Sequence, residues 1–314
     1  MYRMMRKRYV ITGAAGFIGL HLCQEILKMP DVTVIGIDNE RSGDWSRVSP
    51  AVEQHKLDVG QISVDDWKKL LEPGDVIFHL AAEKYNSSKS TPERVLSCNV
   101  TGTERMIRAA AEVGVSRFVF TSSLYSYGSM GPNVMSESDV LKPKTIYGAS
   151  KAIGEDFLRV YNKTHGLSYN VARLFFIYGP LQYADGGYKS VIQVNFERIL
   201  NNDKPVIFGD GEQELDYVFI TDCIDALLLL SKSSIDGETV NVSSGRGLTI
   251  NALTNLMIDV TDRVAEIAYG PIDWTANSKR IGNPTRMETV FNWHTTTSMK
   301  NGLSEVWQWL SKLS

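Results

Sequence analysis

The chain has 314 residues, 43% of them hydrophobic and 22% charged, a globular composition that excludes a disordered or fibrous protein. Its 33 lysines and arginines against 36 aspartates and glutamates leave a net charge of −3, so no basic field recruits nucleic acid or an anionic membrane surface. Cys23, Cys98 and Cys223 stand far apart and in no CxxC pair, which argues against a disulfide framework or a zinc site and for the reducing cytoplasm; no metal is expected.

The N-terminus, MYRMMRKRYVITGAAGFIGL, imitates a signal peptide, with a basic start ahead of an apolar run. Gly13, Gly16 and Gly19 interrupt that run, and no later stretch reaches the ~18 apolar residues of a membrane helix. The first residues read as a solvated tail on a soluble chain. Apolar runs at 8–12, 33–37, 76–80 and 118–121 read as strands, with amphipathic helical patterns between them. That alternation is the mark of βαβ units and a parallel, doubly wound sheet.

The first strand, YVIT, runs into Gly13-Ala14-Ala15-Gly16-Phe17-Ile18-Gly19, which opens a helical pattern reaching about residue 29. Glycines at this spacing allow a tight turn, close backbone approach to a pyrophosphate and close helix-on-strand packing, while the helix N-terminus offers an anion site. The second strand, VTVIGI, ends at Asp38, where a carboxylate holds adenosine ribose hydroxyls and repels a 2′-phosphate. No base follows directly in Asn39-Glu40, so the sequence favours NAD over NADP, with Arg41 as the one residue that argues the other way.

Helical patterns follow over 92–113 and 145–164. Between them the strand RFVFTSS ends at Ser122-Ser123, at the sheet edge where α/β proteins present residues to ligands. Tyr147-Gly148-Ala149-Ser150-Lys151 places Tyr147 and Lys151 on one helix face. A nearby ammonium favours phenolate over phenol, so Tyr147 is expected to serve as general base near neutral pH. After about residue 178 the rhythm changes: Gly186-Gly187, Gly209-Asp210-Gly211 and Gly245-Arg246-Gly247 punctuate shorter elements. Residues 1–176, joined by part of 217–243, are expected to form the dinucleotide domain. Residues 177–216 and 244–314 are expected to form a smaller lobe.

TGAAGFIG, HLAA at 79–82, NVTGT at 99–103, TSS at 121–123, YGASK, IYGP at 177–180 and GDGEQ at 209–213 stand in one order along nearly the whole chain. In these motifs the sequence resembles an extended short-chain dehydrogenase/reductase of the NAD-dependent nucleotide-sugar epimerase/dehydratase family, of the UDP-glucose 4-epimerase type. The resemblance implies a Rossmann-type sheet with a C-terminal substrate-binding lobe, and Ser123, Tyr147 and Lys151 as catalytic residues. It further implies that Gly13, Gly16, Phe17, Ile18, Gly19, Asp38, Asn39, Leu80, Ala81, Ala82, Lys84, Asn99, Tyr147 and Lys151 line NAD, with Asp58 and Val59 beside the adenine. His79 belongs to a strand end and is read as packed rather than catalytic.

Dehydratases of this family carry acidic residues directly after the serine position, and its decarboxylases usually keep a glutamate two residues after it. Here Leu124 and Tyr125 stand in those places, which leaves a reaction needing one tyrosine: oxidation of a carbinol, reorientation of the ketone and reduction from its other face. A 4-epimerase is therefore expected, ahead of a dehydratase or reductase in which Tyr125 donates a proton, and ahead of a non-catalytic NAD-binding regulator. Toward a nucleotide-sugar substrate the resemblance implies Ser123, Tyr125, Phe176, Lys189 and Arg280. Two positions depart from the family pattern: Phe176 replaces an asparagine that meets substrate, and Leu215 replaces an arginine expected to clamp the diphosphate. Arg280 then carries that charge, with Lys189 as a second cation. A homodimer is expected through the helices over 92–113 and 145–164, with Val95, Cys98, Met106, Ile107 and Ala110 supplying a contact face.

Overall fold

The computed structural model describes residues 6–128, 134–183, 189–272 and 277–313, so the Gly186-Gly187 pair lies outside the described residues. The strands are β1 (Lys7–Thr12), β2 (Val32–Asp38), β3 (Glu53–Lys56), β4 (Val76–His79), β5 (Arg117–Ser123) and β6 (Tyr169–Leu174). There follow β7 (Phe176–Tyr178), β8 (Val206–Phe208), β9 (Glu214–Phe219), β10 (Glu238–Val242), β11 (Gly247–Thr249), β12 (Ala268–Gly270) and β13 (Lys279–Arg280). Helices α1 (Phe17–Leu27), α2 (Val64–Leu70), α3 (Ser87–Ser90), α4 (Pro92–Val95), α5 (Thr103–Val113), α6 (Ile146–His165) and α7 (Val191–Leu200) bear on the site.

Two compact units divide the chain. One comprises Met1–Gly128, Asp139–Leu174 and Ile224–Val240; the other comprises Ser129–Ser138, Phe175–Cys223 and Asn241–Ser314. The first is built on a seven-stranded parallel sheet in the order β10-β6-β5-β4-β1-β2-β3. All four residues of β4 and all seven of β5 are buried, as continuous apolar strands must be when helices cover both faces. The strand order reverses direction between β1 and β4, and in open α/β sheets the crevice at the carboxyl ends of such a pair is where ligands bind.

On one face Trp67, Met106, Ile107, Ala110 and Leu158 from α2, α5 and α6 pack with Phe118 and Phe120 of β5. This corrects the expected contact face for a second copy. Val95, Met106, Ile107 and Ala110 are fully buried within the unit, and Cys98 packs against the same core. Their helical spacing marks the stripe that the sheet itself covers.

The helical stretch over 92–113 is not one regular helix. It passes from α4 through a π-helical segment, Leu96–Gly102, into α5. A Cβ on Gly102 would stand 2.6 Å from the Val59 carbonyl oxygen, and one on Gly60 would stand 2.8 Å from Ser97 Oγ. The segment therefore lies hard against the loop after β3, and Asn99 at its centre is turned inward to 2% exposure. Such π segments concentrate at functional sites.

Helix α6 begins where the Thr145 side chain accepts from the Gly148 amide and ends at Gly166, whose φ of 71° is left-handed. Gly148 and Gly154 let it descend closely. Added Cβ atoms would meet the Tyr125 carbonyl oxygen at 2.3 Å and Phe120 Cζ at 2.6 Å. That approach sets Tyr147 and Lys151 over the end of β5.

In the second unit β9 pairs with β7, β11 and β13, and β8 pairs with β12. Tyr217 thereby stands opposite Phe176, and Leu215 opposite Arg280. Buried Asp216 fastens this unit's loops, accepting from the Ser244 amide and hydroxyl and from the Gly245 and Gly282 amides.

Candidate active site

The glycine turn is held by geometry that only glycine satisfies. Gly13 has a φ of 73°, and a Cβ there would lie 2.9 Å from the Ala81 amide nitrogen; a Cβ on Gly19 would lie 2.1 Å from the Gly13 carbonyl oxygen. The turn thus brings the backbone after β1 against Leu80-Ala81 after β4, and delivers Gly16 as the N-cap of α1. No side chain caps that helix, so its first-turn amides, at Phe17 and Ile18, are left for an anion. Asp38, buried at the end of β2, accepts from the amides of Ala15 at 3.1 Å and Glu40 at 2.8 Å. Burial pushes its carboxyl up from the usual range, against the pull of those two amides. Asn39 donates to Asp58 at 3.1 Å, so these two sit together as expected. Lys84 is exposed within electrostatic reach of Glu83 and Asp38.

Two expected cofactor residues are also engaged by the protein itself. The Val59 side chain belongs to the apolar core. The Asn99 amide is spent on protein: its oxygen accepts from the Glu83 amide at 2.7 Å, and its nitrogen donates to the Glu83 carbonyl at 3.0 Å and Ser150 Oγ at 3.1 Å. Asn99 braces the loop after β4, with both of its amide N–H donors engaged.

Ser123, Tyr147 and Lys151 converge at the carboxyl end of β5. Ser123 is hydrogen-bonded to the Tyr147 phenol, and the Lys151 ammonium lies 6.0 Å from the Tyr147 ring centre and 4.9 Å from that of Phe120. It donates to the Thr121 carbonyl at 2.9 Å. Tyr125 stacks on Tyr85 at 4.8 Å and meets Tyr147 edge-on at 6.1 Å. The expected lowering of the Tyr147 pKa is not a property of the chain alone. Burial pushes the phenol up to about 12 despite the Ser123 hydrogen bond, with Tyr125 adding to the rise. Burial also brings Lys151 down to about 8, partly offset by Cys98 and Glu155. His79 is packed, with Nδ1 2.7 Å from Thr12 Oγ1 and Nε2 2.9 Å from Thr103 Oγ1; burial and then the Lys151 charge bring it down to about 3.

Behind the set lies a group that motif reading passed over. Glu155, one turn after Lys151 and fully buried, receives Arg173 in a bidentate pair at 3.0 and 2.7 Å and the Ser122 hydroxyl at 2.5 Å. Its i+4 spacing from Lys151 was the available signal.

In the second unit the Arg280 guanidinium, in a residue only 4% exposed, lies 5.0 Å from the Phe176 ring centre, a cation–π contact. Lys189 is not a free cation near Arg280: its ammonium is held by the Glu197 carboxylate of α7 at 2.8 and 2.6 Å.

The Gly13 contacts, the uncapped start of α1 and buried Asp38 fit a dinucleotide with unmodified ribose. A family model described as the NAD dependent epimerase/dehydratase family matches residues 9–243. An uncharacterised UDP-glucose epimerase of Bacillus subtilis is 31% identical, with 98% of each chain aligned. Among solved structures, the UDP-glucose 4-epimerase of Thermotoga maritima, determined with UDP-glucose, is similar at a TM-score of 0.90 and 28% identity over 98% of this chain and 99% of that one. The UDP-glucuronic acid 4-epimerase of Bacillus cereus, determined with UDP-glucuronic acid and NAD, is similar at 0.87 and 25% over 98% and 100%.

Proposed function

Because the chain belongs to the NAD dependent epimerase/dehydratase family, we propose that it is a nucleotide-sugar epimerase that inverts C4 through a transient ketone. The observation that carries this reading is the meeting of Ser123, Tyr147 and Lys151 at the end of β5, where Leu124 and Tyr125 occupy the positions in which the family's dehydratases keep an acid and a base.

The cofactor is NAD, which when bound accepts a hydride from the carbinol carbon and returns it to the ketone. The chain's own part is proton transfer and placement. Tyr147 takes the proton of the sugar hydroxyl as the ketone forms and gives it back as the alcohol reforms. Ser123, bonded to the same phenol, holds the hydroxyl in line. Lys151, protonated below about pH 8, places positive charge beside a phenol that burial alone keeps neutral. Gly13, Gly16, Gly19, Phe17 and Ile18 receive the pyrophosphate, and Asp38 the adenosine ribose. Arg280 meets the substrate diphosphate.

Incubating the purified protein with UDP-, GDP-, CDP- and dTDP-sugars tests the reading. It expects a C4 epimer by NMR with no net change in reduced-nicotinamide absorbance. Loss of water, loss of carbon dioxide or stoichiometric cofactor turnover instead would assign a dehydratase, decarboxylase or reductase.

The three cysteines are free, and among the described residues no helix is long and apolar enough to cross a membrane; both support placing the enzyme in the cytoplasm. A homodimer through the flank of the π segment and α6 is also part of the proposal, resting on exposed Leu96, Ile153 and Val160. Light scattering at micromolar concentration should give twice the 35.0 kDa chain mass; a particle of single-chain mass removes it.

A further inference from the structure

The end of β2 sends a dinucleotide two opposite signals. Asp38 repels a 2′-phosphate, whereas Arg41, three residues on, carries the planar guanidinium that accommodates one in NADP-binding Rossmann proteins. The structure shows what becomes of that guanidinium. Its Nε lies 3.3 Å from Glu83 Oε1, in the loop after β4. The same oxygen accepts from Arg94 Nε at 3.1 Å, and Glu83 Oε2 accepts from Ser87 Oγ at 2.9 Å. Arg94 is held a second time, 3.5 Å from Asp58 Oδ2.

The two partners of the Arg41 contact differ in freedom. Glu83 has a side chain only 8% exposed and a backbone clamped on both sides by Asn99, whereas the Arg41 side chain is 46% exposed. The carboxylate is therefore the fixed pole and the guanidinium the mobile one. A largely dry carboxylate also attracts a cation more strongly than one in water. We propose that Glu83 selects NAD over NADP by holding Arg41 away from the adenosine ribose, so that this guanidinium does not offset the repulsion between Asp38 and a 2′-phosphate. The site thus combines a repulsive carboxylate with removal of a nearby guanidinium that would reward the wrong ligand. This rests on the cofactor and not on the epimerase reading.

The test is a competition. Protein is equilibrated with equal NAD+ and NADP+, desalted and denatured, and the released dinucleotides are quantified by chromatography, with no turnover required. Glu83→Gln keeps the side-chain shape and removes the charge; it should raise the bound NADP+:NAD+ ratio at least tenfold. In Glu83→Gln/Arg41→Ala the ratio should fall back to the parent value, and Arg41→Ala alone should leave it within twofold. A ratio unmoved in Glu83→Gln overturns the proposal, as does a shift that survives loss of Arg41. Loss of both dinucleotides from a folded Glu83→Gln would overturn it too, by assigning Glu83 to retention rather than choice. Should that variant not fold, Glu83→Asp keeps the charge but withdraws it from Arg41, and must show the same Arg41-dependent shift for the proposal to stand.

Discussion

At the scale of single residues, the catalytic set shows burial and charge pulling against each other. The Tyr147 phenol is pushed up to about 12, so it needs positive charge to act near neutrality, and Lys151 is the nearby residue on its own helix face that supplies it. Replacing Tyr147 by Phe removes the proton carrier and keeps the ring. Turnover should fall by several orders of magnitude while NAD binding and unfolding temperature stay near the parent values; near-normal turnover removes the assigned base. Lys151 bears the cost of its place. Its pKa falls from 10.5 to about 8 because burial disfavours the ammonium, a difference equivalent to roughly 3 kcal/mol at ~1.4 kcal/mol per unit. The folded pKa is depressed, so below pH 8 both folded and unfolded chains carry the proton and the full cost is present. Between about pH 8 and 10.5 the folded state sheds the proton first, and stability rises with pH. Lys151→Met should therefore be inactive yet more stable at pH 7, by about 1–3 kcal/mol after losing the bond to the Thr121 carbonyl. That gain should shrink toward pH 10.5 in urea unfolding. A variant less stable than the parent at pH 7 would show that the Thr121 contact outweighs burial.

At the scale of elements, the site depends on α6 lying tightly on β5 and β6, and the buried Glu155–Arg173 pair joins α6 to β6. Breaking one half leaves the other charge buried. Glu155→Gln should cost about 3–5 kcal/mol in urea unfolding, whereas Glu155→Leu/Arg173→Met, which leaves no charge, should recover most of that loss. If the double variant is as weak as the single one, the pair is needed for more than mutual neutralisation. The elements also show what a sequence can reveal. Strands β1, β2, β4 and β5 were legible because each is a short apolar run between turn signals, and α6 because Thr145 and Gly166 punctuate it. Strand β3, with sequence EQHK and largely exposed, carries no alternation to read, since an edge strand pairs through its backbone alone. The π segment hid inside a helical pattern because its close fit to the loop after β3, Gly60 against Ser97 and Gly102 against Val59, is a tertiary contact. For the same reason the motif around Asn99 marks its importance but not its partner, Glu83.

At the scale of the whole molecule, the labour divides by unit. Every residue proposed for NAD and proton transfer lies in the first unit, whereas Phe176, Lys189, Leu215 and Arg280 lie in the second. Residues 134–138, expected with the dinucleotide domain, belong to the second unit, and the fate of individual cations was not readable either, because nothing in the sequence ties Lys189 to Glu197. With Lys189 so occupied and Leu215 in place of the usual arginine, Arg280, 5.0 Å from the Phe176 ring centre, is the residue proposed for the diphosphate. Arg280→Ala should raise KM strongly, losing a charge-assisted contact worth about 1.5–3 kcal/mol. Leu215→Arg, on the strand position paired with Arg280, should tighten UDP, GDP, CDP or dTDP binding, measured by calorimetry on the NAD-loaded enzyme. Both should leave the amount of bound NAD unchanged, since neither residue belongs to the unit proposed to hold it. If neither substitution alters the affinity of any of the four nucleotides, the substrate carries no nucleoside diphosphate. The Tyr147 chemistry would then serve a smaller hydroxylated molecule on the same NAD-binding sheet.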